Sequence, residues 1–96
     1  MSPPHVLRVP ESIVTLIRKM HPHLKRKIRA ALNDIIQEPE SGKPLKLELE
    51  GLRSYRVGRF RIIYRIDSEK TIALVAVGPR KMIYEETYRL ISGGRM

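Results

Sequence analysis

The stretch YRVGRFRIIYRI, Tyr55 to Ile66, sets four arginines among apolar and aromatic residues spaced as in a β-strand. Arg56, Arg59, Arg61 and Arg65 repel one another, so a chain that fixes them on a rigid surface is built to meet an anion. Arg53 lies just upstream, and Arg80, Lys81 and Tyr84 follow the next apolar run. Guanidinium groups present a fixed fork of donors suited to phosphate, and a tyrosine ring offers a base a flat surface for stacking. Together they describe a grip on single-stranded RNA. Any one strand arginine could equally keep a sheet soluble and block edge pairing. The functional reading rests on the whole group.

Other chemistries lack their parts. The histidines, His5, His21 and His23, fall in the N-terminal quarter with no cysteine anywhere and no third ligand at metal-binding spacing, so no metal is expected. The segments GKP and VGPR lack the spacing of a phosphate-binding glycine loop. No cofactor is expected. Glu85 and Glu86 read as a solvated helix face rather than an acid-base pair.

The composition supports a basic partner surface. Nineteen Lys and Arg against ten Asp and Glu give a net charge of +9, and basic domains face polyanions. Residues 51–96 carry 10 basic against 4 acidic side chains, and residues 1–50 carry 9 against 6. The C-terminal half is therefore the expected binding face. At 96 residues and 42 % hydrophobic, the chain suits one domain, 1–96. The opening MSPPHVLRVPE has no basic segment followed by an apolar one, and the longest apolar run, IALVAV, is far short of a membrane span. The expected location is cytoplasmic, with no membrane partner.

The elements that must carry these residues follow from periodicity. After an extended lead, HVLRV, Pro10 and Glu11 open a helix with Ile13, Leu16, Ile17 and Met20 at helical spacing. Pro22 restarts a second helix, with Leu24, Ile28, Ala31, Leu32 and Ile35 as its apolar stripe and Lys25, Arg26, Lys27 and Arg29 largely outside. Pro39 ends it near Gln37. Tyr55, Val57, Phe60, Ile62, Tyr64 and Ile66 share one sheet face across a turn at Gly58 and Arg59, while Arg61, Ile63 and Arg65 point the other way. TIALVAV reads as a strand covered on both faces. Residues 81–91 read as a helix with Tyr84, Tyr88 and Ile91 on one side. The fold class is α+β: two N-terminal helices packed on an antiparallel sheet, then a short C-terminal helix beside a cleft.

The segments GLRSYRVG, YRVGRFRIIYRID and ALVAVGPRKMIY, in that order, resemble the RelE/ParE toxin superfamily, and within it the RelE branch of ribosome-dependent mRNA endonucleases. The resemblance covers most of the chain and implies a toxin of a type II toxin-antitoxin system, with a small RelB-like antitoxin and mRNA on the ribosome as partners. It implies catalytic roles for Arg56, Arg61 and Arg80 at the scissile phosphate and for Tyr84 against a base. Arg53, Arg59, Arg65 and Lys81 would hold message or ribosomal phosphates. Arg56 stands where active relatives have a lysine, Gly58 where they have a second, and Pro79 where many have a histidine. The alternatives are a ParE-like toxin that inhibits gyrase without nuclease activity, and a decayed member that only binds nucleic acid.

Overall fold

The computed structural model describes residues 5–68 and 70–93. Its elements are strand β1 (Val6–Arg8), helices α1 (Glu11–Arg18) and α2 (Pro22–Gln37), strands β2 (Lys43–Pro44), β3 (Arg53–Val57), β4 (Phe60–Ser68) and β5 (Thr71–Pro79), and helix α3 (Arg80–Gly93). Two 3-10 turns, Pro39–Ser41 and Leu47–Leu49, flank β2. The strands form one sheet in the order β1-β5-β4-β3-β2. The α+β class and the two N-terminal helices are as the sequence predicts. The exception to an antiparallel sheet is β1, which pairs parallel to β5 and makes β5 an interior strand.

Each helix boundary has a local cause. Pro10 and Glu11 open α1, and the basic Arg18 closes it, an order that suits the helix dipole. In α2, Pro22 takes the first position, where its missing N–H costs nothing, and the His21 side chain accepts from the His23 N–H at 3.2 Å. The helix ends at Gln37, before Pro39.

The sheet is covered on both faces. Ile13 of α1 and Ile28, Ala31 and Ile35 of α2 pack on Val57, Ile62, Tyr64, Ile72, Leu74 and Val77, with Tyr55, Phe60 and Ile66 at the margin. On the opposite face Leu52, Ile63, Ala76 and Ile83 form a second, smaller core with Leu45, Leu49, Val75 and Tyr84 around it. Strand β4 alternates between them. The unbroken apolar run of β5 has a further reason: the pairing shifts from Ile63↔Ala76 to Tyr64↔Leu74, so Val75 is an extra residue, a bulge, and joins Ala76 in the smaller core.

Among the described side chains of α3, Ile83 and Thr87 are buried, and the Thr87 hydroxyl donates to the Ile83 carbonyl at 2.6 Å. Tyr88 and Ile91, expected on one side with Tyr84, are exposed. Helix α3 packs on the sheet through Ile83, close against Gly78. A Cβ at Gly78 would already lie 3.1 Å from Ile83.

Tyr64 ties the sheet to the loop after α2. Its hydroxyl donates to the Pro39 carbonyl and accepts from the Gly42 N–H at 2.9 Å. Gly42 allows this approach, since a Cβ there would collide with the hydroxyl and the ring that carries it. Burial raises the Tyr64 pKa above its ordinary value of 10.0. A raised acid pKa means the folded state holds the proton more tightly, so this contribution to stability is complete below pH 10 and is lost as pH rises beyond it. Replacing Tyr64 by Phe leaves Pro39 and Gly42 without their partner and should cost about 1–3 kcal/mol. Melting curves followed through pH 10 should show a smaller alkaline loss in Y64F than in the wild type; an identical loss would contradict this assignment.

Candidate nucleic-acid interface

The predicted cations separate into two groups. In the β3–β4 hairpin Arg56 pairs directly with Arg61, and Arg61 pairs on its other side with Gly78. One row across the sheet thus reads Arg56, Arg61, Gly78, on the face that carries α3. Arg59 sits in the turn that joins the two strands and is exposed. Pro79 ends β5 beside Phe60, and Arg80 opens α3 at the same end of the sheet. The side chains of Arg80 and Lys81 lie outside the described residues.

The turn explains one departure from the resembled pattern. Val57 and Phe60 pair across Gly58 and Arg59, and Gly58 has φ 60°. A two-residue hairpin with positive φ at its first central position is the turn whose twist matches the strands, and glycine adopts it without strain. Gly58 serves the backbone at a position where a lysine would be strained.

Arg61 is half-buried beside Ser54 and Tyr84. Ser54 is 2 % exposed, and its hydroxyl lies 3.3 Å from the Tyr84 hydroxyl and accepts from Arg61 Nη1 at 3.5 Å. Arg61 Nε is buried and meets no protein acceptor. A donor left so costs about 1–3 kcal/mol unless a ligand or water supplies the acceptor. The described ion pairs involve none of Arg56, Arg59 and Arg61. Sequence pattern gives no sign of Ser54, because its importance lies in its neighbours across the strand and on α3, thirty residues away.

Arg53 and Arg65 stand apart. Arg53 shares the face of Tyr64, and its Nη1 donates to the carbonyls of Gly42 at 2.7 Å and Glu40 at 3.2 Å, fastening the same loop. Arg65 lies four residues along β4 from Arg61, about 13 Å at strand rise. Its Nε donates to Asp67 at 2.8 Å, and Arg8 of β1 approaches the other carboxylate oxygen at 3.5 Å. The structure does not bring either residue to the Arg56–Arg61 row. At the Arg65 end of the sheet, on the helical face, Glu38 and Glu40 border a hollow with His5 and Ile66.

A family model described as the ParE toxin of the type II toxin-antitoxin system parDE matches residues 11–84. Toxin RelG of Mycobacterium tuberculosis is 36 % identical over 84 residues, 84 % of this chain and 97 % of that protein. The chain belongs to the RelE/ParE family of type II toxins. A chain of the RelBE2 toxin-antitoxin complex of M. tuberculosis superposes with TM-score 0.70 at 34 % identity, covering 80 % of this chain and 99 % of that one. An arginine-to-alanine mutant of Escherichia coli RelE in the free state superposes with TM-score 0.72 at 16 % identity, covering 97 % and 99 %; that likeness is one of fold. Among the described residues no helix of this RelE/ParE toxin is long and apolar enough to cross a membrane.

Like charges directly opposite each other destabilise a strand pair by about 0.2–1 kcal/mol. Replacing Arg56 with Gln should therefore raise the melting temperature of the toxin. A fall in melting temperature would show that Arg56 contributes to the fold and would weaken its assignment to a ligand.

Proposed function

We propose that this toxin cleaves mRNA during translation, through a metal-independent attack of the ribose 2′-hydroxyl. The observation that carries this reading is the Arg56–Arg61 row: two adjacent guanidinium side chains on one sheet face, one with a buried donor lacking a protein acceptor, and a tyrosine hydroxyl linked to the same serine. A protein-docking surface has no special need for that combination. The likeness to RelG and to the RelBE2 toxin chain supports it.

In the proposed reaction the 2′-oxygen bonds to phosphorus, the bond from phosphorus to the 5′-oxygen breaks, and the products end in a 2′,3′-cyclic phosphate and a 5′-hydroxyl. Arg61 and Arg56, with Arg80 from the start of α3, bear the negative charge that grows on the phosphorane. Arginine keeps its proton, with a pKa above about 12, and so supplies charge rather than a base. Water accepts the proton of the 2′-hydroxyl. Tyr84 stacks on a base, and its hydroxyl, oriented by Ser54, is positioned to give a proton to the departing 5′-oxygen. Arg59 and Lys81 hold neighbouring phosphates. A small RelB-like antitoxin is the proposed partner that silences the toxin in the cell, as the similar M. tuberculosis and archaeal Pyrococcus horikoshii toxins occur in toxin-antitoxin complexes.

Arg61→Ala and Arg80→Ala should each lower message cutting by about two orders of magnitude, read by primer extension on translated mRNA. Tyr84→Phe should lower cutting because the hydroxyl is lost, and Tyr84→Ala should lower it further because the stacking ring goes as well. Full cutting by R61A would overturn the assignment. Growth arrest with intact mRNA and inhibited gyrase would favour the ParE-like alternative.

A further inference from the structure

Among the described residues two small polar side chains are buried, Ser54 and Thr87. Thr87 is accounted for by its own helix, since its hydroxyl donates to the Ile83 carbonyl one turn back. Ser54 has no such local partner. Its hydroxyl meets the Arg61 guanidinium at 3.5 Å and the Tyr84 hydroxyl at 3.3 Å, residues seven and thirty positions away. Leu52, Ser54 and Arg56 alternate onto the sheet face that carries α3, and Ser54 pairs with Ile63 of the smaller core. An apolar side chain would pack there at no polar cost, whereas a hydroxyl taken out of water needs its hydrogen bonds made. Both of its bonds go to side chains of the proposed site.

The donors and acceptors fix a direction along this chain. A guanidinium only donates, so Ser54 Oγ accepts from Arg61. The serine also carries one proton of its own, and among its described hydrogen bonds the acceptor for that proton is Tyr84 Oη. The reverse arrangement, with Tyr84 donating to Ser54, would bury the serine proton without an acceptor, which is the costly state for a polar group. Donation therefore runs from Arg61 to Ser54 to Tyr84, and the phenolic proton is left for a ligand. When Tyr84 gives that proton up, its oxygen already holds the Ser54 O–H, and the charge of Arg61 stands behind the serine. Hydrogen bonds that run in one direction polarise one another, so this chain strengthens as negative charge grows at its end.

We infer that Ser54 is a positioning residue of the cleavage reaction: it turns the phenolic proton of Tyr84 toward the departing 5′-oxygen and carries the charge of Arg61 to the phenolate left behind. In this step the Tyr84 O–H bond breaks while the 5′-oxygen gains that proton and parts from phosphorus. Water then returns a proton to Tyr84. The inference rests on the cleavage reading above and goes beyond it, because it makes Tyr84 depend on a side chain that is 2 % exposed and so cannot itself hold RNA.

The test uses the full-length toxin in single-turnover cutting of a short message on programmed ribosomes. Two forms of the message are compared, an ordinary one and one in which sulfur replaces the bridging 5′-oxygen at the cut. A thiolate departs without being protonated, so the sulfur message needs no general acid. Alanine fits where serine stood, so Ser54→Ala should fold. It should cut the ordinary message at least about tenfold more slowly than the wild type and the sulfur message at the wild-type rate. Its affinity for the programmed ribosome should not change, and Tyr84→Phe should show the same rescue by sulfur. Ser54→Ala/Tyr84→Phe should cut the ordinary message no more slowly than Tyr84→Phe alone, since the serine acts through the phenol. Arg61→Ala should stay slow on both messages, because its charge also serves the phosphorane. Wild-type cutting of the ordinary message by Ser54→Ala would overturn the inference, as would equal slowing on both messages or additive losses in the double variant. Failure of the wild type to cut either message would overturn the cleavage reading itself, and the inference with it.

Discussion

The direction of Arg61 is fixed by the burial of the three residues that follow it. Ile62, Ile63 and Tyr64 are each fully buried, Ile62 and Tyr64 against α1 and α2, and Ile63 against α3. A slip of one residue in β4 would exchange the two sets and drive a guanidinium into the larger core. Such a slip is excluded by an energy far beyond what a surface arginine gains or loses. The interior of the sheet thus aims a cation at the face beside α3 with the rigidity of the core itself. The other parts of the site attach to this fixed point: Arg56 by strand pairing, Ser54 and Tyr84 by their hydroxyls.

The cations of this chain fall into those with internal partners and those without. Arg53 fastens the Pro39–Gly42 loop that Tyr64 also holds, and Arg8 and Arg65 converge on Asp67. Those interactions explain their residues within the fold. Arg56, Arg61 and the α2 cations Lys25, Arg26, Lys27 and Arg29 have the opposite character, because each adds repulsion that the native state has to absorb. Such locally unfavourable choices are where function is expected to override folding. Two faces of one small protein show this conflict, the sheet face beside α3 and the outer face of α2.

Much of this was legible from short-range pattern. The alternation in β4, the proline boundaries of α2 and the Gly58–Arg59 turn are encoded within a few residues of where they act, and they placed Arg56, Arg59 and Arg61 together. The parallel pairing of β1 was not legible, since HVLRV carries no signal of which strand it will join. The bulge at Val75 was hidden because an unbroken apolar run reads the same with or without an extra residue. Arg53 and Arg65 looked like members of the basic cluster, yet strand parity sends Arg53 to the other face and about 13 Å of strand separates Arg65 from Arg61. Ser54 gave no sign, being a small residue whose partners come from β4 and α3.

The central claim is that the cationic end of the sheet performs transesterification on RNA rather than binding a protein or a whole nucleic acid passively. End-group analysis of mRNA recovered from a translating extract treated with the purified toxin tests it most directly. The account predicts new fragments with 5′-hydroxyl ends downstream of the cut and 2′,3′-cyclic phosphate ends upstream, since the 5′-oxygen departs from a phosphorus already bonded to the 2′-oxygen. Intact mRNA under conditions that stop translation or replication, or fragments bearing 5′-phosphates, would contradict it.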